Sequence, residues 1–185
     1  MLAATLGGLF RAFPFMVPVC GLGYGLIFHQ RLWCYYALVS LTVDVTVYSL
    51  KQYFFRPLYH YLGVTHLPIL GQGARPDGAT NCGWFIDCQD PTGHGYGMPS
   101  GHAASACVFA TFWALYLWDQ PKLTQTQRGF SIAMLVVLAL SIAYSRHYFR
   151  CHTPQQIIVG GLLGSIIGYL SYHLWRSWEP LPTSS

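Results

Sequence analysis

The sequence predicts an all-α fold, a polytopic transmembrane helix bundle of about five spans with a long polar loop between spans two and three. Three observations carry that reading. Charged residues make up 9% of the 185 while 53% are apolar, against roughly 25% charged in soluble domains, so there is too little charge to cover a water-facing surface. Five stretches, residues 12–29, 33–50, 103–118, 129–145 and 154–175, are each apolar over close to the ~20 residues that cross a hydrocarbon core. Turn formers concentrate between the second and third of them. The length suits one membrane-embedded domain over residues 1–185.

Each element has its own signal. The first span carries Pro14 and Pro18, which membrane helices tolerate when neighbours satisfy the released carbonyls. Residues 1–10 lack a basic run ahead of their apolar residues, so no cleaved signal peptide is expected. The second span holds Asp44, an ionisable group that is costly in hydrocarbon and calls for a partner. Asp44 precedes Lys51 by seven residues, on nearly the same helix face, so it either balances a basic site there or bonds a neighbouring Thr or Tyr. The loop from Lys51 to Pro99 is rich in Gly, Pro, Asn and Asp, and loops this long are usually functional.

The last span contains Gly160, Gly161, Gly164 and Gly168, small residues at helical spacing that permit close helix packing. Trp33, Tyr35, Tyr36, Trp118, Trp175 and Trp178 fall near span ends, as interfacial aromatics do. Cys20, Cys34 and Cys107 read as packing residues in apolar stretches. Cys82 and Cys88 flank a short polar segment, as a disulfide or as two thiols. No C-x-x-C pair is present, so no zinc site is expected. The +4 charge is dispersed, without the basic run of a nucleic-acid patch.

Parity brings the polar segments together. If five spans alternate direction, the end of span two, the start of span three, the end of span four and the start of span five share one membrane face. Lys51 onward, Pro99-Ser100-Gly101-His102, and Ser145-Arg146 with His152 all lie at those points. These residue types suit phosphoryl transfer. Arg and Lys hold the anion, and N–H groups at a helix start add to them. The Ser100 hydroxyl can bind phosphate oxygens, and Gly101 lets the backbone approach closely. A histidine can attack phosphorus or protonate the leaving oxygen; His102, Arg146 and His152 are placed for these tasks.

The three segments resemble the signatures of the phosphatidic-acid-phosphatase type 2 superfamily, K-x6-R-P, P-S-G-H and S-R-x5-H-x3-D. Pro99 to His102 matches the second in full, and Ser145-Arg146 with His152 matches the third through its histidine. The resemblance implies His152 as nucleophile and His102 as acid/base. It implies Lys51, Arg146, Ser100 and Gly101 as phosphate binders. It also implies a membrane phosphatase acting on a lipid phosphate or lipid pyrophosphate through a phosphohistidine, with no cofactor and no metal.

The chain departs from the pattern twice. Arg56-Pro57 follows Lys51 after four residues rather than six, which turns Arg56 about 140° away on a continuing helix. Arg75-Pro76, reached through a longer loop, is the preferred phosphate-binding arginine, with Arg56 the alternative. The final aspartate is replaced by Gln156, whose carbonyl still orients His152 without adding charge. The H-T-x-x-Q pattern looks like the dolichyl-diphosphatase branch and moves the expected substrate toward a polyprenyl pyrophosphate. Two other functions compete: a non-catalytic lipid-phosphate-binding or transport protein, and a vanadate-dependent haloperoxidase, which the apolar spans disfavour. Arg31, Lys122, Arg128 and Arg176 fall on the face opposite the site. The positive-inside rule therefore places the site outside the cytosol.

Overall fold

The computed structural model describes residues 2–79, 82 and 96–179, with side chains from residue 8 onward. Five long helices form the bundle: α1 (Leu2–Ile27), α2 (Arg31–Ser49), α4 (Gly101–Trp118), α5 (Gln125–Tyr148) and α6 (Pro154–Trp178). Of these, α1 (over Gly8–Ile27), α5 and α6 are long and apolar enough to cross a membrane. The other two are more polar. Helix α2 carries Asp44 among Ser and Thr residues, and α4 is short and opens on Gly-His.

Helix α4 is central. It buries His102, Ala103, Ala104, Ser105, Ala106, Val108, Phe112 and Trp113 and packs most extensively against α6. The glycines explain that contact. A Cβ on Gly160 would run into the Ser100 carbonyl, one on Gly164 into that of Ala104, and one on Gly168 would lie 2.9 Å from that of Val108. Every fourth residue of α6 therefore faces every fourth residue of α4 with backbone against backbone. Any side chain larger than hydrogen would force the helices apart.

Loop residues 50–79 are more ordered than the sequence suggests. Helix α2 runs on as a π-helical segment (Leu50–Phe55) into a short helix α3 (Arg56–Leu62). It ends at Gly63, whose φ of +62° supplies the left-handed cap. Strands β1 (His66–Leu67) and β2 (Gly71–Gln72) then pair antiparallel, and an isolated bridge joins Ala74 to Tyr96.

The aromatic residues divide. Trp118 and Trp178 are exposed, as rim residues should be, but Tyr36 and Trp175 are buried with Phe112, Trp113 and Tyr172 in a core cluster. Their rings fill the interior of the bundle. The cysteine expectation is also corrected: Cys82 bonds Cys151 with a Cα–Cα distance of 5.4 Å, and Cys88 lies outside the described residues. A partner 69 residues away leaves no trace in local spacing.

Candidate active site

The polar segments meet at one end of the bundle. Lys51, Arg75, Cys82, Gly101, His102 and His152 line a single cavity of about 540 Å³, with Asp44 and Tyr48 on its α2 wall. Lys51 stands on the π-helical continuation of α2, Arg75 follows β2, Gly101 and His102 open α4, and His152 sits in the turn between α5 and α6. Arg56 is elsewhere: it is exposed, and its Nη1 donates to Gln52 Oε1 at 3.3 Å. Arg75 is the arginine that reaches the cavity.

Ser100 caps α4. Its hydroxyl accepts from Ala103 N at 3.5 Å, and its own N–H donates to the Gln156 carbonyl at 2.9 Å. Arg146 is fully buried. Its Nε donates to Ser145 Oγ at 3.1 Å, and its guanidinium lies 5.9 Å from the Phe149 ring centroid. Both Nη atoms are buried without a partner among the described residues. A buried guanidinium with idle donors is costly unless an anion completes it.

His152 is 3% exposed, and its Nδ1 lies 3.0 Å from Gln156 Oε1. Backbone groups fix which way that amide points. Oε1 accepts from Thr153 N at 3.2 Å, while Nε2 donates to the Gln72 and Ala74 carbonyls at 2.8 and 2.7 Å. An N–H on one side and two C=O groups on the other admit one orientation. His152 Nδ1 therefore carries the proton, and the lone pair belongs to Nε2. His102 has the opposite arrangement: its Nε2 donates to the Arg11 carbonyl at 3.0 Å, leaving Nδ1 as the acceptor.

Charge shapes the site as well. Burial, then the Arg75 charge, pushes the Lys51 ammonium down to about 8. Burial, then Lys51 and Arg75, holds His152 well below the ordinary imidazole range; the Gln156 bond works in the other direction, and His102 adds to the lowering. His152 is thus kept neutral, the form a nucleophile needs.

Sequence reasoning missed Arg11. It lies on α1, outside all three motifs, and contributes a backbone carbonyl to His102, which no side-chain pattern signals. Asp44 reaches the cavity wall, but its partner is neither Thr nor Tyr: Ser105 Oγ on α4 donates to Oδ1 at 3.4 Å.

The profile of the PAP2 superfamily matches residues 32–179. The chain belongs to that superfamily. Helix α1 lies outside the match. Within the superfamily the chain is similar to dolichyldiphosphatases. It is 33% identical over 79 residues to dolichyldiphosphatase 1 of Dictyostelium discoideum, covering 42% of this chain and 34% of that protein. It is 30% identical over 79 residues to the Homo sapiens dolichyldiphosphatase 1, covering 39% and 33%. The Saccharomyces cerevisiae dolichyldiphosphatase is 30% identical over 81 residues, covering 43% and 34%. The chain thus spans about a third of the length of the curated relatives it matches. No solved structure matches it.

Proposed function

We propose that this protein is a membrane phosphatase that hydrolyses a lipid phosphate or lipid pyrophosphate, with a polyprenyl pyrophosphate the favoured substrate. The observation that carries the reading is the shared cavity. A lysine, an arginine, a helix start and two histidines line one space, and His152 presents the Nε2 lone pair because Gln156 holds Nδ1–H. Similarity to dolichyldiphosphatases supports the choice of substrate class.

In the proposed reaction, Lys51, Arg75, Arg146 and the N–H groups at the start of α4 hold the phosphoryl oxygens. His152 Nε2 attacks phosphorus, and the bond from phosphorus to the leaving oxygen breaks. His102 takes a proton from solvent onto Nδ1 as the phosphoryl anion enters. That anion offsets the burial and the Arg146, Lys51 and Arg75 charges that otherwise keep His102 neutral. His102 then gives that proton to the leaving oxygen while its Nε2–H stays on the Arg11 carbonyl. Water then attacks the phosphohistidine and passes its proton to His102 Nδ1; the P–N bond breaks and phosphate leaves. The cations supply the charge stabilisation that the transition state requires, so no metal step is included.

The same reading places the site on the extracytosolic face. The Cys82–Cys151 disulfide ties the long loop to the residue before His152, and disulfides persist in oxidising compartments.

Phosphate release in detergent, with and without a chelator, tests the proposal. Phosphatidic acid, diacylglycerol pyrophosphate, a polyprenyl pyrophosphate and a soluble phosphate ester form the panel. Chelator-resistant release, fastest from the polyprenyl pyrophosphate and lost in His152→Ala, is expected. Release from none of them would make the cavity a binding site without turnover. Release that requires divalent ions would overturn the mechanism.

A further inference from the structure

The two departures from the family's motifs meet at one side chain. Gln156 is fully buried, and its carboxamide makes contacts in two directions. Oε1 faces His152 and Thr153 N. Nε2 uses both hydrogens on the segment before Arg75, one on the Gln72 carbonyl and one on the Ala74 carbonyl. The other carbonyls of that segment are met nearby. That of Gly73 accepts from Gly97 N at 3.0 Å and Met98 N at 3.2 Å, and that of Arg75 from Gln72 Nε2 at 3.2 Å. Gly97 must be glycine for this to occur, because a Cβ there would run into the Gln156 carboxamide.

An aspartate at position 156 could accept from His152 but has no hydrogen to give. It would leave the Gln72 and Ala74 carbonyls without their donor and set a carboxylate against them. The extra donors of glutamine are therefore what a displaced arginine requires. When the phosphate-binding arginine moves from the α2 continuation into a loop, something must hold that loop against the nucleophile.

We infer that Gln156 is a positioning residue for two groups at once, orienting His152 through its oxygen and holding Arg75 in the cavity through its nitrogen, so that the glutamine and the displaced arginine form one functional unit. The inference rests on the reading of the cavity as a phosphatase site, and it predicts that restoring the family's aspartate impairs the enzyme.

The test uses the detergent-purified full chain and two readouts. Gln156→Glu keeps the acceptor for His152 and loses the donors. Its KM for the polyprenyl pyrophosphate rises by about tenfold or more, while kcat changes by less than about tenfold. In an Arg75→Ala background the same substitution adds no further rise in KM, because the pair acts as one unit. Gly97→Ala, which leaves Gln156 in place but displaces both ends of its carboxamide, raises KM likewise and lowers kcat as well, because His152 also loses its orienting acceptor. It guards against misfolding of a single variant.

Hydrogen exchange without substrate gives the second readout: backbone amides of residues 71–75 exchange faster in Gln156→Glu and Gln156→Asp than in the wild type. A fall in kcat with KM unchanged, multiplicative effects of the two substitutions, or unchanged exchange would overturn the inference. If the wild type releases no phosphate, the function proposal fails while the exchange readout still decides whether Gln156 holds the loop.

Discussion

The two ends of the bundle treat their cations differently. At the end away from the cavity the arginines reach carboxylates or a backbone carbonyl, although Arg128 Nε and Arg176 Nη1 are buried without a partner among the described residues. Arg31 pairs with Glu179 at 3.6 Å and Arg176 with Asp119 at 3.4 Å, and Arg128 Nη2 donates to the Gln120 carbonyl at 2.7 Å. Tyr172 adds its hydroxyl to Asp119. At the cavity end Arg146 is buried with both Nη atoms unmet among the described residues, and the Arg75 charge helps to lower the Lys51 pKa. Cations that meet a carboxylate or a carbonyl tie segments together. Cations crowded together lower one another's pKa, the electrostatics that suit an anion. The first group braces one end of the bundle, and the second gathers at the cavity end proposed as the phosphate site.

Substitutions can break this contrast. Arg146→Ala should cost the most, about 10²–10³-fold in kcat/KM for phosphate release, the scale of losing a donor to developing charge. Arg146→Lys should recover little of it, because an ammonium cannot present the guanidinium's fork. Gly164→Ala tests how the two histidines are brought together. A methyl meeting the Ala104 carbonyl should destabilise the protein by about 1–3 kcal/mol and lower turnover, read from thermal unfolding in detergent and the same assay.

The pH profile sharpens the contrast. Lys51 must be charged to bind phosphate, and its pKa is lowered to about 8, so kcat/KM should fall as pH rises through that value. Lys51→Arg should carry the alkaline limb upward, since arginine stays protonated. His152 must be neutral to attack, and its pKa is lowered, so its acid limb should lie below the ordinary histidine range. At the other end, Arg31→Gln should leave turnover within about twofold and stability within about 1 kcal/mol, the usual worth of an exposed pair. A large loss of turnover there would blur the distinction between the two ends.

Much of this was legible in the sequence. Parity of apolar stretches predicts that Lys51, His102, Arg146 and His152 share one end, because alternation of spans is forced by the bilayer and needs no side-chain detail. The preference for Arg75 over Arg56 came from the family's motif spacing read on a continuing α-helix. Arg75 is the one at the cavity wall, although the segment after Ser49 is π-helical and not the α-helix that reading assumed. What stayed hidden depends on long-range contacts. The Cys82–Cys151 bond joins residues whose separation carries no pattern. The Arg11 carbonyl at His102 is a backbone group that every residue possesses. The stripe of glycines was readable as packing, but that it seats Ser100 against Gly160, and so fixes the mouth of the site, required knowing which helix lies opposite.

The most direct test of a nucleophilic His152 is to trap its phosphorylated form. Protein mixed with a terminally labelled polyprenyl pyrophosphate would be quenched in alkaline denaturant, where phosphohistidine survives, and its peptides mapped. The account predicts acid-labile label on the peptide carrying His152, absent from His152→Ala. Label on any other residue, or undiminished label in that variant, would contradict it.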